Sequence, residues 1–405
     1  MIDAPIDVVG IGADGWAGLS PRARAAIGGA RTVVGSPRQL ALLPDAPGQE
    51  RVPLPSPLRD GLCRLLAAVG DGPVGVLASG DPLVFGIGGT LIDLLGSDRV
   101  RVHPAVSSVS LAAAELGWAS DAFDVVRVTG DPASLRRVLT AGRRVLVLSA
   151  DETTPDAVAD LLVRAGFGGS TLTVLSDLGS LAQTRLDTDA AAFAAAPLLV
   201  ARLNVVALTL VGRTGWSAVG GLPDEAFEHD GQLTKRDARA SALARLAPVP
   251  GQLLWDVGAG AGSVAIEWAR ADPRCRSVAI ERDPARAARI ARNASALGVP
   301  GLRVVNGVAP AALAGLPEPD AVFVGGGATV HGVIDTCWEA LMIGGRLVVH
   351  GVTVETERLL IDRHARLGGE LIRLSVERVE PLGSFRGWAP ARPIVQWSVM
   401  KGSTG

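Results

Sequence analysis

Lysine is nearly absent from this chain. Lys235 and Lys401 are the only two in 405 residues, and arginine carries almost all the positive charge. A GC-rich coding bias accounts for that, as it does for the many Ala, Gly and Pro; arginine forks also suit carboxylate-rich ligands. The formal net charge is -2, so no broad basic surface for nucleic acid is expected. Cysteine is scarce as well. Cys63, Cys275 and Cys337 are scattered, odd in number and form no C-x-x-C pair, which argues against disulfides and cysteine metal sites. His229, His331 and His364 have no partner at ligand spacing, so no metal site is expected. No basic stretch followed by an apolar one opens the chain, and no apolar run reaches 18 residues. A soluble, cytoplasmic protein with no membrane partner is the expectation. The length predicts two or three domains, and 48% hydrophobic residues suffice for sizeable cores.

The most informative stretch is Leu253-Leu254-Trp255-Asp256-Val257-Gly258-Ala259-Gly260-Ala261-Gly262-Ser263. It reads as a buried strand, a glycine turn and a helix over Val264 to Arg270. Such glycines let the backbone turn and approach a ligand without a Cβ clash. The turn delivers that ligand to a helix N-terminus at a strand's carboxyl end. The spacing is G-x-G-x-G rather than the G-x-G-x-x-G of dinucleotide sites. A second strand, Ser277 to Ile280, ends in Glu281, 19 residues past Gly262, where a carboxylate can take both hydroxyls of a ribose. An NAD-type site, or a tight turn without ligand, is compatible with the same residues. Asp256, Gly258, Ala259, Gly260, Ala261, Gly262 and Glu281 together resemble the S-adenosylmethionine site of class I methyltransferases.

The chain opens with a true G-x-G-x-x-G, Gly10-Ile11-Gly12-Ala13-Asp14-Gly15. It is read as a decoy. The helix signal comes later, at Ser20-Pro21, and no acid lies between Asp14 and Asp45 to hold a ribose. Strands are predicted at Thr32–Gly35 and Val74–Ala78, a loop at Pro44–Pro57, and a helix at Leu58–Val69. The second strand runs into Ser79-Gly80-Asp81-Pro82-Leu83-Val84-Phe85, a natural ligand loop but also an ordinary turn. Val100 to His103 leads through Pro104-Ala105-Val106-Ser107-Ser108 into a helix ending at Leu116. His103 is read as a hydrogen-bonded structural histidine. These features resemble the tetrapyrrole (corrin and porphyrin precursor) methylases. The resemblance implies two α/β lobes with the methyl donor in the cleft between them. It also implies donor contacts from Ala13, from Gly80, Asp81 and Val84, and from Ser107 and Ser108. Ala105, where that family usually has glycine, is a departure. Val128-Thr129-Gly130-Asp131 is another, where relatives often carry Ser/His-Gly-Arg. The second lobe starts near Asp124, with strands at Arg143–Leu148, Thr171–Leu175 and Val205–Val211 and a helix from Thr154 to Gly166.

Gly212 to Leu233 is rich in Gly, Pro and acid and reads as linker. Thr234 then caps an amphipathic helix, with Asp237 in a capping-box arrangement. Further elements are a helix over Pro284–Ala296 and strands at Leu302–Val305, Asp320–Val324 and Gly345–His350, with a closing strand pair between Pro381 and Met400. This half resembles the decarboxylating precorrin methyltransferases. In them the threonine at 234 reaches the donor and the turn at Gly307 and Ala309 packs on its adenine, usually with Asp where this chain has Val308. Gly325-Gly326-Gly327 replaces the Asn/Asp-Pro-Pro-aromatic motif of amino-directed methyltransferases. His350 and Glu355, at the end of the fifth strand, are candidates to move a proton. Arg386, in a glycine-flanked loop, is a candidate for a substrate carboxylate.

The expected fold class is α/β. Residues 1–213 form a two-lobed tetrapyrrole methylase domain with its lobe boundary near 124, 214–233 a linker, and 234–405 a class I Rossmann-like methyltransferase domain. The pairing resembles the fused decarboxylating precorrin methyltransferases of cobalamin biosynthesis. It implies S-adenosylmethionine as cofactor, one site per domain, and a tetrapyrrole substrate. It further implies methylation at C5 by the first half, methylation at C15 with loss of the ring C acetate carboxyl by the second, and a homo-oligomer. An NAD-linked oxidoreductase, an RNA or protein methyltransferase and a non-catalytic macrocycle carrier are the other readings. The first lacks its ribose acid and the second its basic surface or amino-acceptor motif. The third conflicts with the intact glycines and Glu281.

Overall fold

The first strand, β1 (Ile6–Ile11), reads Ile-Asp-Val-Val-Gly-Ile and is buried along nearly its whole length, as the interior of a parallel sheet requires. It is followed by α1 (Pro21–Gly28), β2 (Thr32–Gly35), α2 (Pro37–Ala41), β3 (Glu50–Pro53), α3 (Leu58–Ala68), β4 (Val74–Ser79), α4 (Ile87–Leu95) and β5 (Val100–His103). The strands form one parallel sheet in the order β3-β2-β4-β1-β5. Val8, Val34 and Val76 pack with Leu62 and Leu91 on one face; Val9, Val33 and Leu77 pack with Ala23 and Ile27 on the other. Burial of each such side chain contributes roughly 1.5–3 kcal/mol. After β1 the chain makes a short 3-10 turn at Gly15–Gly18, and α1 begins only at Pro21, with Ser20 Oγ accepting from Ala23 N at 3.2 Å. The dinucleotide arrangement of strand, glycines and immediate helix is therefore missing here.

One expectation for this lobe is corrected. The loop predicted over Pro44–Pro57 contains β3, an edge strand whose Glu-Arg-Val-Pro sequence carries no apolar period. Its proline is tolerated because an edge leaves some backbone groups unpaired. The helix predicted to Val69 is α3 as far as Ala68; Val69 lies outside the described residues, which are 5–68, 72–213 and 215–402 of this computed structural model.

A second sheet follows α5 (Ser108–Leu116). It is built from β6 (Asp124–Arg127), β7 (Arg144–Leu148), β8 (Thr171–Ser176), β9 (Thr184–Asp189) and β10 (Asn204–Thr209), with α6 (Thr154–Arg164) and α7 (Ala190–Ala195). The order is β6-β7-β10-β8-β9, parallel only between β6 and β7. Sequence reading misses β9, another edge strand, because Thr-Arg-Leu-Asp-Thr-Asp offers one apolar residue in six.

The other sheet has seven strands: β11 (Leu253–Val257), β12 (Arg276–Glu281), β13 (Arg303–Asn306), β14 (Ala321–Val324), β15 (Arg346–Gly351), β16 (Glu370–Leu374) and, last in the chain, β19 (Ile394–Met400). The order is β13-β12-β11-β14-β15-β19-β16, with β19 alone antiparallel to its neighbours. Helices α8 (Arg236–Leu246), α9 (Ser263–Ala271), α10 (Pro284–Ala296), α11 (Val333–Ala340) and α12 (Val354–Leu367) cover its faces. This is the Rossmann-like arrangement expected of the second half. The closing pair is corrected: β19 pairs with β16, while β17 (Glu377–Leu382) and β18 (Phe385–Pro390) form a separate hairpin. The chain divides into two compact units, Met1–Pro132 with Thr140–Arg213, and Ala133–Leu139 with Thr214–Gly405.

The segment expected as linker is irregular in backbone but is bound to the second unit. Leu222 and Phe227 are buried there among Ile266, Ala269 and Leu297. Glu267 of α9 accepts from Gly221 N and, at 3.0 Å, from Leu222 N. Arg239 of α8 is fully buried; it donates to Glu267 at 2.6 Å, to Asp224 at 3.2 Å and to the carbonyls of Leu222 and Thr234. Thr234 is consequently not the cap of α8. The N-cap position falls at Lys235, with no side-chain cap, and Asp237 pairs instead with Arg378 of the hairpin.

Removing one partner of a buried ion pair strands the other without compensation, at about 3–5 kcal/mol. Arg239→Met is expected to destabilise the second unit by that order in urea unfolding. Adding Glu267→Leu to it should recover part of the loss, and strictly additive losses would count against a coupled pair.

Candidate active site

Strand β11 lies inside the seven-stranded sheet, between β12 and β14. The chain leaves it toward β12 on one side, while β14 lies on the other, so its carboxyl end is a topological switch point where open α/β sheets bind ligands. Here the glycine turn stands. Gly258, Gly260 and Gly262 all have left-handed φ, at 70°, 59° and 77°. A Cβ on them would lie 2.6 Å from Gly326 O, 2.7 Å from Gln232 O and 2.7 Å from Ile290 Cγ2. All three are therefore demanded by the protein's own packing, whatever ligand is bound. Between them, Ala261 is buried, and its N donates to Gln232 O at 3.1 Å. Ala259 is half-buried, and its N donates to Ile280 O at 3.1 Å.

The two acids are held differently. Glu281, buried at the end of β12, accepts from Gly260 N at 2.9 Å on one oxygen and from Asp283 N at 3.0 Å on the other. A carboxylate has about four acceptor sites, so each oxygen retains capacity for a diol. Asp256 is 1% exposed; Oδ2 accepts from Ala265 N at 3.0 Å, and Oδ1 has no partner. Burial pushes its pKa up to about 7, partly offset by the Ala265 N–H and reinforced by the charge of Glu281. Gly307 N and the Asn306 side chain both bond to Glu281 O, tying the third loop to the second. Ala309 packs on the core beside it, and Val308 is exposed to solvent. Thr234 is half-buried and held by the bond from Arg239 to its carbonyl, two residues after Gln232, whose carbonyl covers the glycine turn.

The candidates for proton movement are not brought together. His350, on β15, is buried, bonded through Nε2 to Gln396 Oε1 at 2.8 Å and edge-on to Phe323 at 4.9 Å. Burial lowers its pKa to about 4 against the pull of Gln396, so it is neutral at pH 7. Glu355 is exposed in the first turn of α12, where its own backbone N–H and Thr353 hold its carboxyl below the usual range. Arg386 lies exposed in strand β18 rather than in a loop. His103 is a buried histidine bonded to Asp7 at 2.7 Å.

In the first unit a cleft of 410 Å³ is lined by both sheets. Ala13, Gly80, Val84 and Ser108 are on its wall. Asp81 and Ser107 are not. Asp81 Oδ1 accepts from Leu83 N at 2.8 Å and shapes the loop, while buried Ser107 caps α5 by accepting from Ser110 N at 3.0 Å. Gly10 is dictated by packing, since a Cβ there would lie 2.3 Å from Gly80 O and 2.9 Å from the Cβ of Ala105. Sequence reading missed Ser36, Arg38 and Gln39 on the wall, although Ser-Pro-x-Gln is a capping-box signal. It also missed Ser149 and Asn204, whose Oγ and Oδ1 are buried without partners on the opposite wall. Only the antiparallel pairing of β7 with β10, strands distant in sequence, brings those two side by side.

Two family models match: Tetrapyrrole (Corrin/Porphyrin) Methylases over residues 6–194 and Precorrin methyltransferase domain over residues 225–401. A precorrin-6Y C(5,15)-methyltransferase [decarboxylating] of Sinorhizobium sp is 48% identical over 401 residues, covering 98% of this chain and 96% of the relative. One of Mycobacterium tuberculosis (strain ATCC 25618 / H37Rv) is 46% identical over 403 residues, covering 98% and 100%. The solved C-terminal domain of precorrin-6Y C5,15-methyltransferase from Rhodobacter capsulatus is 48% identical over 46% of this chain and 100% of that one, at a TM-score of 0.44. With both halves matched and the full-length relatives covered almost end to end, the chain belongs to the precorrin-6Y C5,15-methyltransferase (decarboxylating) family.

Proposed function

We propose that this protein is a bifunctional methyltransferase of cobalamin biosynthesis. It methylates precorrin-6Y at C5 and C15 and removes the carboxyl of the C12 acetate side chain, giving precorrin-8X. The observation that carries this reading is near-full-length identity to relatives of that name, in a chain whose first unit holds a cleft of 410 Å³ and whose second holds the buried acids Asp256 and Glu281 at its glycine turn. A dinucleotide-linked oxidoreductase has no support, because no helix opens on Gly10–Gly15.

We take each unit to hold its own S-adenosylmethionine, with residues 1–213 and 234–405 as the two catalytic halves. When bound, the donor supplies an electrophilic sulfonium methyl group. In the second half, Glu281 takes the ribose hydroxyls, the Gly307–Ala309 turn packs on the adenine, and Thr234 closes the edge. Asp256 Oδ1, buried and unpartnered, fits the donor's cationic amino-acid end. In the first half, Ala13, Gly80, Val84 and Ser108 line the donor cleft, while Asp81 and Ser107 shape its loops. The protein's task is to hold a nucleophilic macrocycle carbon at near-attack distance. In the decarboxylation the C–C bond breaks, carbon dioxide leaves, the electron pair enters the conjugated macrocycle, and uptake of one proton at the remaining methylene makes it a methyl group. Burial keeps His350 neutral and makes it a weak base, with Nε2 held by Gln396. Exposed Glu355 and Arg386 are the candidates for moving a proton and for meeting a carboxylate of the macrocycle. The reading includes a cytoplasmic location; no helix among the described residues is long and apolar enough to cross a membrane. It also includes self-association, for which the exposed Leu382, Phe385 and Trp388 of the hairpin offer an apolar surface. Light scattering should then give a mass above the 41.5 kDa of one chain.

Calorimetry with S-adenosylhomocysteine is the primary test. Two sites per chain are expected, one lost in Asp81→Ala and the other weakened at least tenfold in Glu281→Gln. A single wild-type site would remove the reading of one donor per unit.

The pH dependence follows from Asp256. Its raised pKa means that the free second unit holds a proton there below about pH 7. A cationic ligand end favours the carboxylate, so binding below that pH releases the proton. Affinity at this site should fall about tenfold per pH unit from 7 to 5 and stay level above 7. Asp256→Asn should flatten the profile; an unchanged slope would show that Asp256 is not the titrating group.

A further inference from the structure

The cleft of the first unit is apolar over much of its wall, with Leu54, Leu77, Leu148 and Leu203 among its lining, and it carries two charges of one sign. Arg38 enters from the connection after β2 and Arg127 from the end of β6, one from each sheet. Among the described residues no acidic one lines the cleft. Among the described residues neither arginine makes an ion pair.

Arg38 is also the better positioned of the two. Ser36 and Gln39 form a reciprocal capping box, Gln39 N to Ser36 Oγ at 3.3 Å and Ser36 N to Gln39 Oε1 at 2.8 Å. Gln39 Nε2 then donates to Ser79 Oγ at 3.0 Å, and Arg38 Nη2 donates to that same hydroxyl at 3.0 Å. The guanidinium is thus moored by one of its five N–H groups to the strand end that begins the Gly80 loop, and the rest of its fork is left for a ligand. Asp177 is the nearest acid that acts on it, through space and without an ion pair. A planar fork fixed beside an apolar floor is built for a carboxylate carried on a large apolar body.

We propose that Arg38 and Arg127 form a carboxylate clamp that seats an acidic side chain of the macrocycle in the first unit's cleft, and so presents C5 to the methyl donor. This rests on the function proposed above. Arg38 and Arg127 are positioning residues: they touch substrate away from the reacting carbon and act on its binding. The donor also has a carboxylate, so the test separates the two sources.

The full-length enzyme is assayed with precorrin-6Y and S-adenosylmethionine labelled with 13C in the methyl group, and the C5 methyl is followed by NMR. Arg38→Gln and Arg127→Gln should each raise KM for the macrocycle about 10- to 100-fold. KM for the donor should stay within about twofold, as should first-site affinity for S-adenosylhomocysteine, which also shows that the fold is intact. Arg38→Lys, which keeps charge but not the fork, should recover part of the loss. An unmoved macrocycle KM overturns the clamp. So does a rise in donor KM in its place, which would assign the guanidinium to the donor's amino-acid end. If the wild-type enzyme places no methyl on C5, the proposed function of the first half fails; if it does and the variants match it, the clamp alone fails.

Discussion

The second unit depends on one buried ion pair. Arg239 and Glu267 are almost wholly removed from water, and two charges so placed must satisfy one another and every remaining donor and acceptor. An apolar pair of the same volume would hold α8 against α9 as firmly. What the ion pair adds comes from its surplus hydrogen-bonding groups. Arg239 gathers the carbonyls of Leu222 and Thr234 and the carboxylate of Asp224, and stacks 4.9 Å from the ring of Phe227. Glu267 gathers the N–H groups of Gly221 and Leu222. A stretch whose own backbone hydrogen bonds make only short turns is thereby fixed along a defined path. Asn293 continues that path, bonding Glu228 N and O and reaching Ala261 O. Its far end places Gln232 O over the glycine turn. Helix packing, the irregular segment and the donor edge are one construction.

The two sites are electrically opposite, and each sign fits its part of the chemistry. At the turn of the second unit two acids are buried, and the charge of Glu281 adds to burial in disfavouring ionisation of Asp256. Such a pair is costly when empty and is relieved by a cation. Among the described residues the first unit's cleft carries two guanidiniums and no acid, so it is relieved by carboxylates. In the function proposed each unit meets both a cationic donor and a polycarboxylate macrocycle, so these residues answer to one of the two ligands in each.

Much of this was legible in the sequence, and the exceptions have physical reasons. Buried parallel strands announce themselves as apolar runs, so β11, β12 and β14 with their ends at Asp256, Glu281 and Gly325 were readable from order and spacing. Edge strands β3 and β9 have little to bury and lack that signal. The cap at Thr234 failed for another reason. The local pattern was correct, but a guanidinium five residues on took the threonine's carbonyl and the helix began after Lys235. Tertiary contacts overrode a preference worth about 1 kcal/mol. Arg386 was misplaced because glycines at a hairpin strand resemble those of a loop. The orphan atoms of Ser149 and Asn204 follow from the meeting of elements far apart in sequence, which no local pattern encodes.

The glycine turn bears on what identifies such a site. Gly258, Gly260 and Gly262 attract attention in the sequence, yet each lacks a side chain because Gly326, Gln232 or Ile290 occupies the space where a Cβ would go. A turn with those neighbours would need those glycines with no ligand at all. Polar groups left incomplete are harder to explain without one. A buried carboxylate oxygen without a donor, as at Asp256 Oδ1, costs about 1–3 kcal/mol or more, because the group is charged or held neutral against its ordinary pKa. The spare lone pairs of Glu281, half engaged by Gly260 N and Asp283 N, face the same edge. The glycines make room for the turn, and the unfilled acceptors beside it account for a ligand.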